Sequence, residues 1–305
     1  MHLGLDGKRG RRLGGRSERL GYLLMLAPFA ILFFLFTILP IITSVGLSFF
    51  TYDTISAPKW SFLENFQRMI VGDEVFPKTV LNTLKFAVIT GPLSFFLSFL
   101  LAWFINEFKP VVRNLLAFLF YVPALAGNAY FVWQIAFSGD SYGYVNNFLL
   151  SVGLIDSPIN WFRNVAYNTQ VLIVIQLWVS MGVAFLANIA GLQNVNTEMY
   201  EAGALDGIPS RWHELWYITL PSMKSILLFS AVMQIQSTFS IGSIITSLAG
   251  YPSVDNSVDT IVSHLNDVGI VRYEMGYAAA ISVFLFAMMA ITRIVVGKVL
   301  NYLGK

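Results

Sequence analysis

Six stretches of this chain contain no Asp, Glu, Lys or Arg and are each long enough to cross a bilayer: residues 20–52, 86–106, 114–139, 164–197, 225–254 and 275–292. A helix needs about 18 residues or more to traverse roughly 30 Å of hydrocarbon, where no water can satisfy a backbone N–H or C=O. Leu, Ile, Phe, Val and Ala dominate all six, so each is predicted to be a membrane-spanning helix. Only 12% of the residues are charged, about half the share expected of a soluble domain, roughly 25%. The expected fold class is therefore an all-α membrane protein with six transmembrane helices.

The first stretch is far longer than the roughly 7–15 apolar residues of a secretory signal, so it is expected to remain as the first span, 20–50. The basic segment before it, 1–19, contains KRGRRLGGRSER. Beside a span this reads as a topology anchor and not as a nucleic-acid arm. With both termini on one side, that side holds thirteen Lys and Arg and the other holds six. The positive-inside rule then puts both termini in the cytoplasm. Loops 51–79, 138–167 and 249–275 are expected outside, the middle one with a short interfacial helix at YVNNFLL. Loops 107–113 and 194–221 are expected inside. Pro28, Pro40, Pro92 and Pro123 fall within spans, where each removes a backbone donor and bends its helix.

Catalytic chemistry is missing. His2, His213 and His264 are scattered, and none stands at ligand spacing with a second His, so no metal site is expected. There is no Cys, which excludes disulfides and thiolate chemistry. GDEVFPKT at 72–79 approaches a phosphate-binding loop, but Pro77 replaces the glycine before Lys78 and supplies no amide to a phosphate. The spans lack ionisable residues away from their ends, which argues against an ion-coupled carrier. Any energy for uphill transport is then expected from another subunit.

The spans do hold uncharged polar side chains. Gln176, Ser180 and Asn188 lie in the fourth. Gln234, Gln236, Ser237, Thr238 and Ser240 cluster in the fifth. Two roles are open to them: hydrogen bonds between helices, or a wet path for a neutral polyhydroxylated solute. Five such groups in seven residues of one helix cannot all face one neighbour, which favours a wet face for part of the cluster. Gln176, Ser180, Gln234, Ser237 and Thr238 are the candidates for that path.

Residues 201–221, EAGALDGIPSRWHELWYITLP, are polar between two apolar regions. Asn196 or Thr197 is placed to cap a helix over TEMYEAGAL, and Gly207 with Pro209 ends it. A second helical piece, SRWHELWYI, leads to Pro221. Small residues Ala202, Gly203 and Ala204 allow another backbone to approach. Glu201 and Asp206 beside them suit a basic protein partner, while an amphipathic helix on the membrane surface is the alternative.

These residues resemble the cytoplasmic EAAxxxG…IxLP loop of permease subunits in binding-protein-dependent ABC importers. Glu201-Ala202-Gly203, Gly207 and Ile218-Thr219-Leu220-Pro221 carry the likeness. Gly203 stands where the pattern has a second Ala, and ten residues separate Gly207 from Ile218, one more than in the pattern. LAPFAILFFLFTILPII at 26–42, LNTLKF at 81–86, YVPALAG at 121–127 and MGYAAAI at 275–281 extend the resemblance to the carbohydrate-uptake, maltose-type branch. The resemblance implies a type I importer fold with a transmembrane domain over 76–300. It implies a non-enzymatic permease for a sugar or oligosaccharide, with a glycerol phosphodiester or polyol as the alternative solute. It further implies a second homologous permease in a heterodimer and an extracytoplasmic solute-binding protein. Two ABC ATPase subunits would hold ATP and Mg²⁺, leaving no cofactor on this chain. The location implied is a bacterial or archaeal cytoplasmic membrane, with lipid and no nucleic acid as a partner. Glu201, Ala202, Gly203, Asp206 and Gly207 would couple the chain to the ATPase.

Overall fold

The computed structural model describes residues 14–303; most of the basic segment, residues 1–13, lies outside them. Helix α1 runs over residues 14–47 with a π-turn at Phe34–Ile38. A two-stranded antiparallel hairpin follows, β1 (Phe50–Thr51) and β2 (Lys59–Trp60). Short helix α2 covers 64–72, then α3 is Phe76–Asn106, α4 Pro110–Leu125, α5 Phe131–Ala136 and α6 Tyr144–Ser151. Helices α7 (Asn168–Val179) and α8 (Val183–Gln193) precede α9 (Thr197–Leu205) and α10, residues 211–222. The chain closes with α11 (Lys224–Phe239), α12 (Gly242–Ala249), α13 (Ile261–Val271) and α14 (Met275–Leu303).

Among the described residues, four helices are long and apolar enough to span: Gly21–Leu47, Phe76–Asn106, Lys224–Ala249 and Met275–Leu300. The pair α7 and α8, bent by 43° at residues 180–182, makes a fifth as one broken span. The sixth expected span, 114–139, is not one helix. Helix α4 has 16 residues, which reach only about 24 Å at 1.5 Å per residue. The chain then turns extended at Ala126 (ψ 96°) before α5 resumes. A helix-breaking sequence, Pro123-Ala-Leu-Ala-Gly-Asn, accounts for the interruption.

The core is built on α3, which packs against α8 and α11. One face of α3 is lined by Thr79, Thr83, Thr90, Ser94, Ser98 and Ala102, all buried. Small side chains let helix backbones approach closely where burial of apolar area gives no drive against lipid. Four of the five hydroxyls donate within the helix, Thr83 Oγ1 to the Thr79 carbonyl at 2.7 Å and Thr90 Oγ1 to that of Phe86 at 2.8 Å among them, while Ser94 Oγ accepts from Ser180. Pro92 lies inside α3 without ending it. Towards the 194–221 loop, Phe99, Ile105, Phe185, Ile189, Leu215, Ile218 and Met223 form a continuous apolar cluster. That cluster anchors the loop to the bundle. None of the spanning residues of α1 is fully buried, but its second half packs on α14, where the Ser44 and Ser282 hydroxyls are bonded at 2.9 Å.

At the opposite end, Asn146 organises the loop 138–167. Its amide nitrogen donates to the carbonyls of Ser138, Asp140 and Ile159, and its oxygen accepts from Ile159 N and Trp161 Nε1. The short helix expected at YVNNFLL is α6.

Candidate functional site

The loop between α8 and α11 folds as two short helices joined by a tight turn. Asn196, with extended backbone, caps α9: its Oδ1 accepts from the Glu198 amide at 3.0 Å. Glu198 in that first turn faces the positive end of the helix dipole. Gly207 ends α9 at φ +85°, a left-handed position that suits glycine. The Ile208 amide reaches back to the Gly203 carbonyl at 3.0 Å and the Gly207 amide to that of Ala204 at 3.3 Å. This is a Schellman end, and Ile208 supplies its apolar contact.

Gly203 is the buried member of the motif and sits against the ends of Ile208 and Ile218. Glu201, Ala202, Ala204, Leu205 and Asp206 are exposed, Leu205 at 90%. Neither Glu201 nor Asp206 has an ion-pair partner among the described residues. The result is a knob, acidic with an apolar tip, whose underside is fixed.

Three contacts hold this knob together and tie it to the bundle. Tyr200 and Thr219 hydroxyls are bonded at 2.8 Å, joining α9 to α10. Arg211 bridges Glu214 at 2.8 Å and Glu107, at the end of α3, at 3.2 Å. Hydrogen bonding to Glu214 and the charge of Glu107 raise the Arg211 pKa further. Trp212 packs on Trp103 of α3 with ring centres 5.3 Å apart. Sequence spacing gave no sign of the Arg211–Glu107 and Trp212–Trp103 pairs, because their members are about a hundred residues apart.

The span candidates come together as a seam between α3, α7 and α11. Gln176 Nε2 donates to Ser237 O at 3.1 Å, and Gln234 Nε2 to Ser180 O at 3.3 Å. Ser180 Oγ donates to Ser94 Oγ at 2.7 Å, and Thr90 Oγ1 lies 3.5 Å from Thr238 Oγ1. Gln176, Ser180, Gln234 and Thr238 are buried, Ser237 is half-buried, and Gln236 and Ser240 are exposed. In this conformation the first four bond helices to each other, and the open polar face of α11 belongs to Gln236, Ser237 and Ser240. Gln176 Oε1, Gln234 Oε1, Asn188 Oδ1 and Ser230 Oγ are buried without a partner among the described residues.

The described residues thus form a helical bundle with several membrane-length helices, a broken span, a buried polar seam and an acidic knob. No family model matches the chain. It is 30% identical over 296 residues to the probable ABC transporter permease protein YesP of Bacillus subtilis, covering 94% of this chain and 92% of that protein. It is 28% identical over 281 residues to AraP, the arabinooligosaccharides transport system permease protein of the same organism, covering 92% and 88%. Its fold matches a bacterial alginate ABC transporter solved in complex with an alginate pentasaccharide-bound periplasmic protein. The TM-score is 0.78 at 21% identity, over 97% of this chain and 99% of that one. The chain belongs to the ABC transporter permeases.

Proposed function

We propose that this chain is the permease subunit of an ATP-driven importer carrying a sugar or oligosaccharide across a bacterial or archaeal cytoplasmic membrane. The observation that carries the reading is the α9 knob: Glu201, Leu205 and Asp206 are exposed and unpaired, while Gly203 and the Schellman turn at Gly207 hold them rigidly. A surface helix lying on anionic lipid would be expected to present basic side chains there. An acidic knob instead fits a groove on a soluble ATPase. Both termini are cytoplasmic, and α4 with α5 completes a sixth crossing within a transmembrane domain over 76–300. A homologous second permease, two ABC ATPase subunits holding ATP and Mg²⁺, and an extracytoplasmic binding protein complete the importer.

The solute class is supported by the neutral seam and by the sugar named for AraP. Sugar hydroxyls exchange hydrogen bonds with amides and hydroxyls without a charge to neutralise. Ser237, with Gln236 and Ser240, lines the path, while Gln176, Ser180, Gln234 and Thr238 stand behind it. Their unpaired acceptor oxygens would meet sugar or water donors when the helices part. ATP can drive that parting only if the ATP-bound ATPases favour one arrangement over the other, since equal affinity shifts nothing. The links from α10 to Glu107 and Trp103 would pass the ATPase movement to α3.

Replacing Glu201 with Lys tests the reading. The Glu201→Lys permease is expected to insert and pair normally, but to lose ATPase on co-purification or to hydrolyse ATP without transport. Normal co-purification with normal uptake of labelled sugar would sink the docking assignment.

A further inference from the structure

Between the knob and the bundle lies a cavity of about 490 Å³, within the range of roughly 300–1,000 Å³ that small-molecule sites occupy. Its wall takes Trp103 from the end of α3, Arg113 from the start of α4, Gln193 from the end of α8, Tyr200 from α9 and Arg211 from α10. Glu107 and Glu214 line it too, so the wall holds two Arg and two Glu, but they are paired unevenly. Arg211 is held by both Glu107 and Glu214. Arg113 forms no ion pair among the described residues, and its nearest polar contact is NH1 to Asn106 Oδ1 at 3.4 Å. Its Nε is buried without an acceptor. That Nε is closed off from the cavity as well as from water, so it is the rest of the guanidinium, where Arg113 lines the wall without an ion-pair partner, whose forked N–H donors match a carboxylate or phosphate. The indole of Trp103, the Tyr200 ring and the amides of Asn106 and Gln193 add the stacking and polar surfaces that suit a polyol.

We infer that this cavity binds a small anionic polyol, a sugar phosphate or sugar acid, with its anionic group on Arg113. Because α10 and α3 both build the wall, an occupant bridges the joint through which the knob moves α3 and restrains it. The binding stands on the cavity alone; the restraint rests on the coupling reading given above.

The test uses the whole importer, this permease with its partner permease and ATPases, in lipid nanodiscs. Glucose 6-phosphate, gluconate and glucose are titrated by calorimetry, and ATP hydrolysis stimulated by loaded binding protein is followed in parallel. One or both anions are expected to bind saturably, and glucose is not; the stronger anion shows whether phosphate or carboxylate is preferred. Arg113→Gln should weaken binding about tenfold or more, the loss of one charge-assisted hydrogen bond. Gln193→Trp, at an exposed position that fills the cavity, should abolish binding while basal hydrolysis persists. Bound anion should lower stimulated hydrolysis in the unaltered importer and leave both variants unaffected. Binding with no effect on hydrolysis upholds the site and overturns the restraint. The site itself is overturned if neither anion binds, or if both variants bind as the parent does. It is equally overturned if the anions bind the permease pair but not the full importer, for then an ATPase side chain is the occupant.

Discussion

Gly203 and Gly207 are three residues from Asp206 and one from it, yet they are glycine for different reasons. At Gly203 the constraint is space: an added Cβ would lie 2.7 Å from Ile218 Cδ1 and 2.9 Å from Ile208 Cδ1. Both are terminal methyls that can swing aside, which explains how the family pattern accommodates Ala at this place. Gly203→Ala is therefore expected to change stability by less than about 1 kcal/mol, and Gly203→Leu to cost about 1–3 kcal/mol by overpacking. At Gly207 the constraint is the backbone, with φ +85° and open space around it. Gly207→Ala should cost about 1–2 kcal/mol from left-handed strain alone. Thermal unfolding of the purified permease checks all three. An equal loss for the two Ala substitutions would show that the two sites are not distinguished in this way.

Among the elements, the N-terminal end of α3 carries the firmest local prediction. Asp73 Oδ1 accepts from the amides of Val75 and Phe76, each at 2.9 Å, and so caps α3. Its Oδ2 accepts from the Tyr277 hydroxyl of α14 at 2.7 Å and lies 2.8 Å from His264 Nε2 of α13. Tyr251 meets the other ring nitrogen of His264 at 2.9 Å, and Arg68 stacks over the Tyr277 ring at 4.2 Å. One carboxylate thus joins three helices. Burial pushes the Asp73 carboxyl up, but the Tyr277 hydroxyl, the Phe76 amide and His264 together hold it below the ordinary value of 3.8. A depressed folded pKa contributes stability that is present above the unfolded value and lost as pH falls through the folded one. Melting temperature measured from pH 6 down to about 3 should fall faster for the parent than for Asp73→Asn, so that the gap between them begins to close near about pH 4. Asn still caps α3, so at neutral pH the variant should lose only the charge-assisted bonds, about 1–3 kcal/mol. Parallel melting curves would refute this role. Asp259 works in the opposite sense, since burial raises its carboxyl; its share is lost as pH rises, so it cannot produce the acid limb. None of this cluster was visible in the sequence, where Asp73 sits in a discarded loop motif and His264 stands alone.

For the molecule as a whole, what could be read in advance followed from rules that act locally along the chain. Charge-free length located α1, α3, the α7–α8 pair, α11 with α12, and α14. Capping chemistry located α9 between Asn196 and Gly207. What could not be read required two distant residues to meet: Arg211 with Glu107, or Gln176 with Ser237. A polar side chain in a span looks the same in sequence whether it faces a neighbour or water: Gln234, a path candidate there, is buried in the fold, while Gln236, not a candidate, is exposed. The interruption at Ala126 leaves one global quantity to be measured, the number of crossings. The chain has no Cys, so single-cysteine labelling with a membrane-impermeant maleimide has no background. Ile55, Tyr142 and Leu205 are 92%, 88% and 90% exposed, and they sit on three different loops, 51–79, 138–167 and 194–221. If α4 and α5 cross together, Ile55→Cys and Tyr142→Cys label on intact cells, and Leu205→Cys labels only after permeabilisation. If α4 and α5 instead dip in and return, Tyr142→Cys becomes protected and Leu205→Cys accessible from outside, because every loop after the dip changes side. That second pattern would also place the acidic knob beyond the reach of a cytoplasmic ATPase. A single labelling experiment therefore tests both the sixth span and the docking role of Glu201.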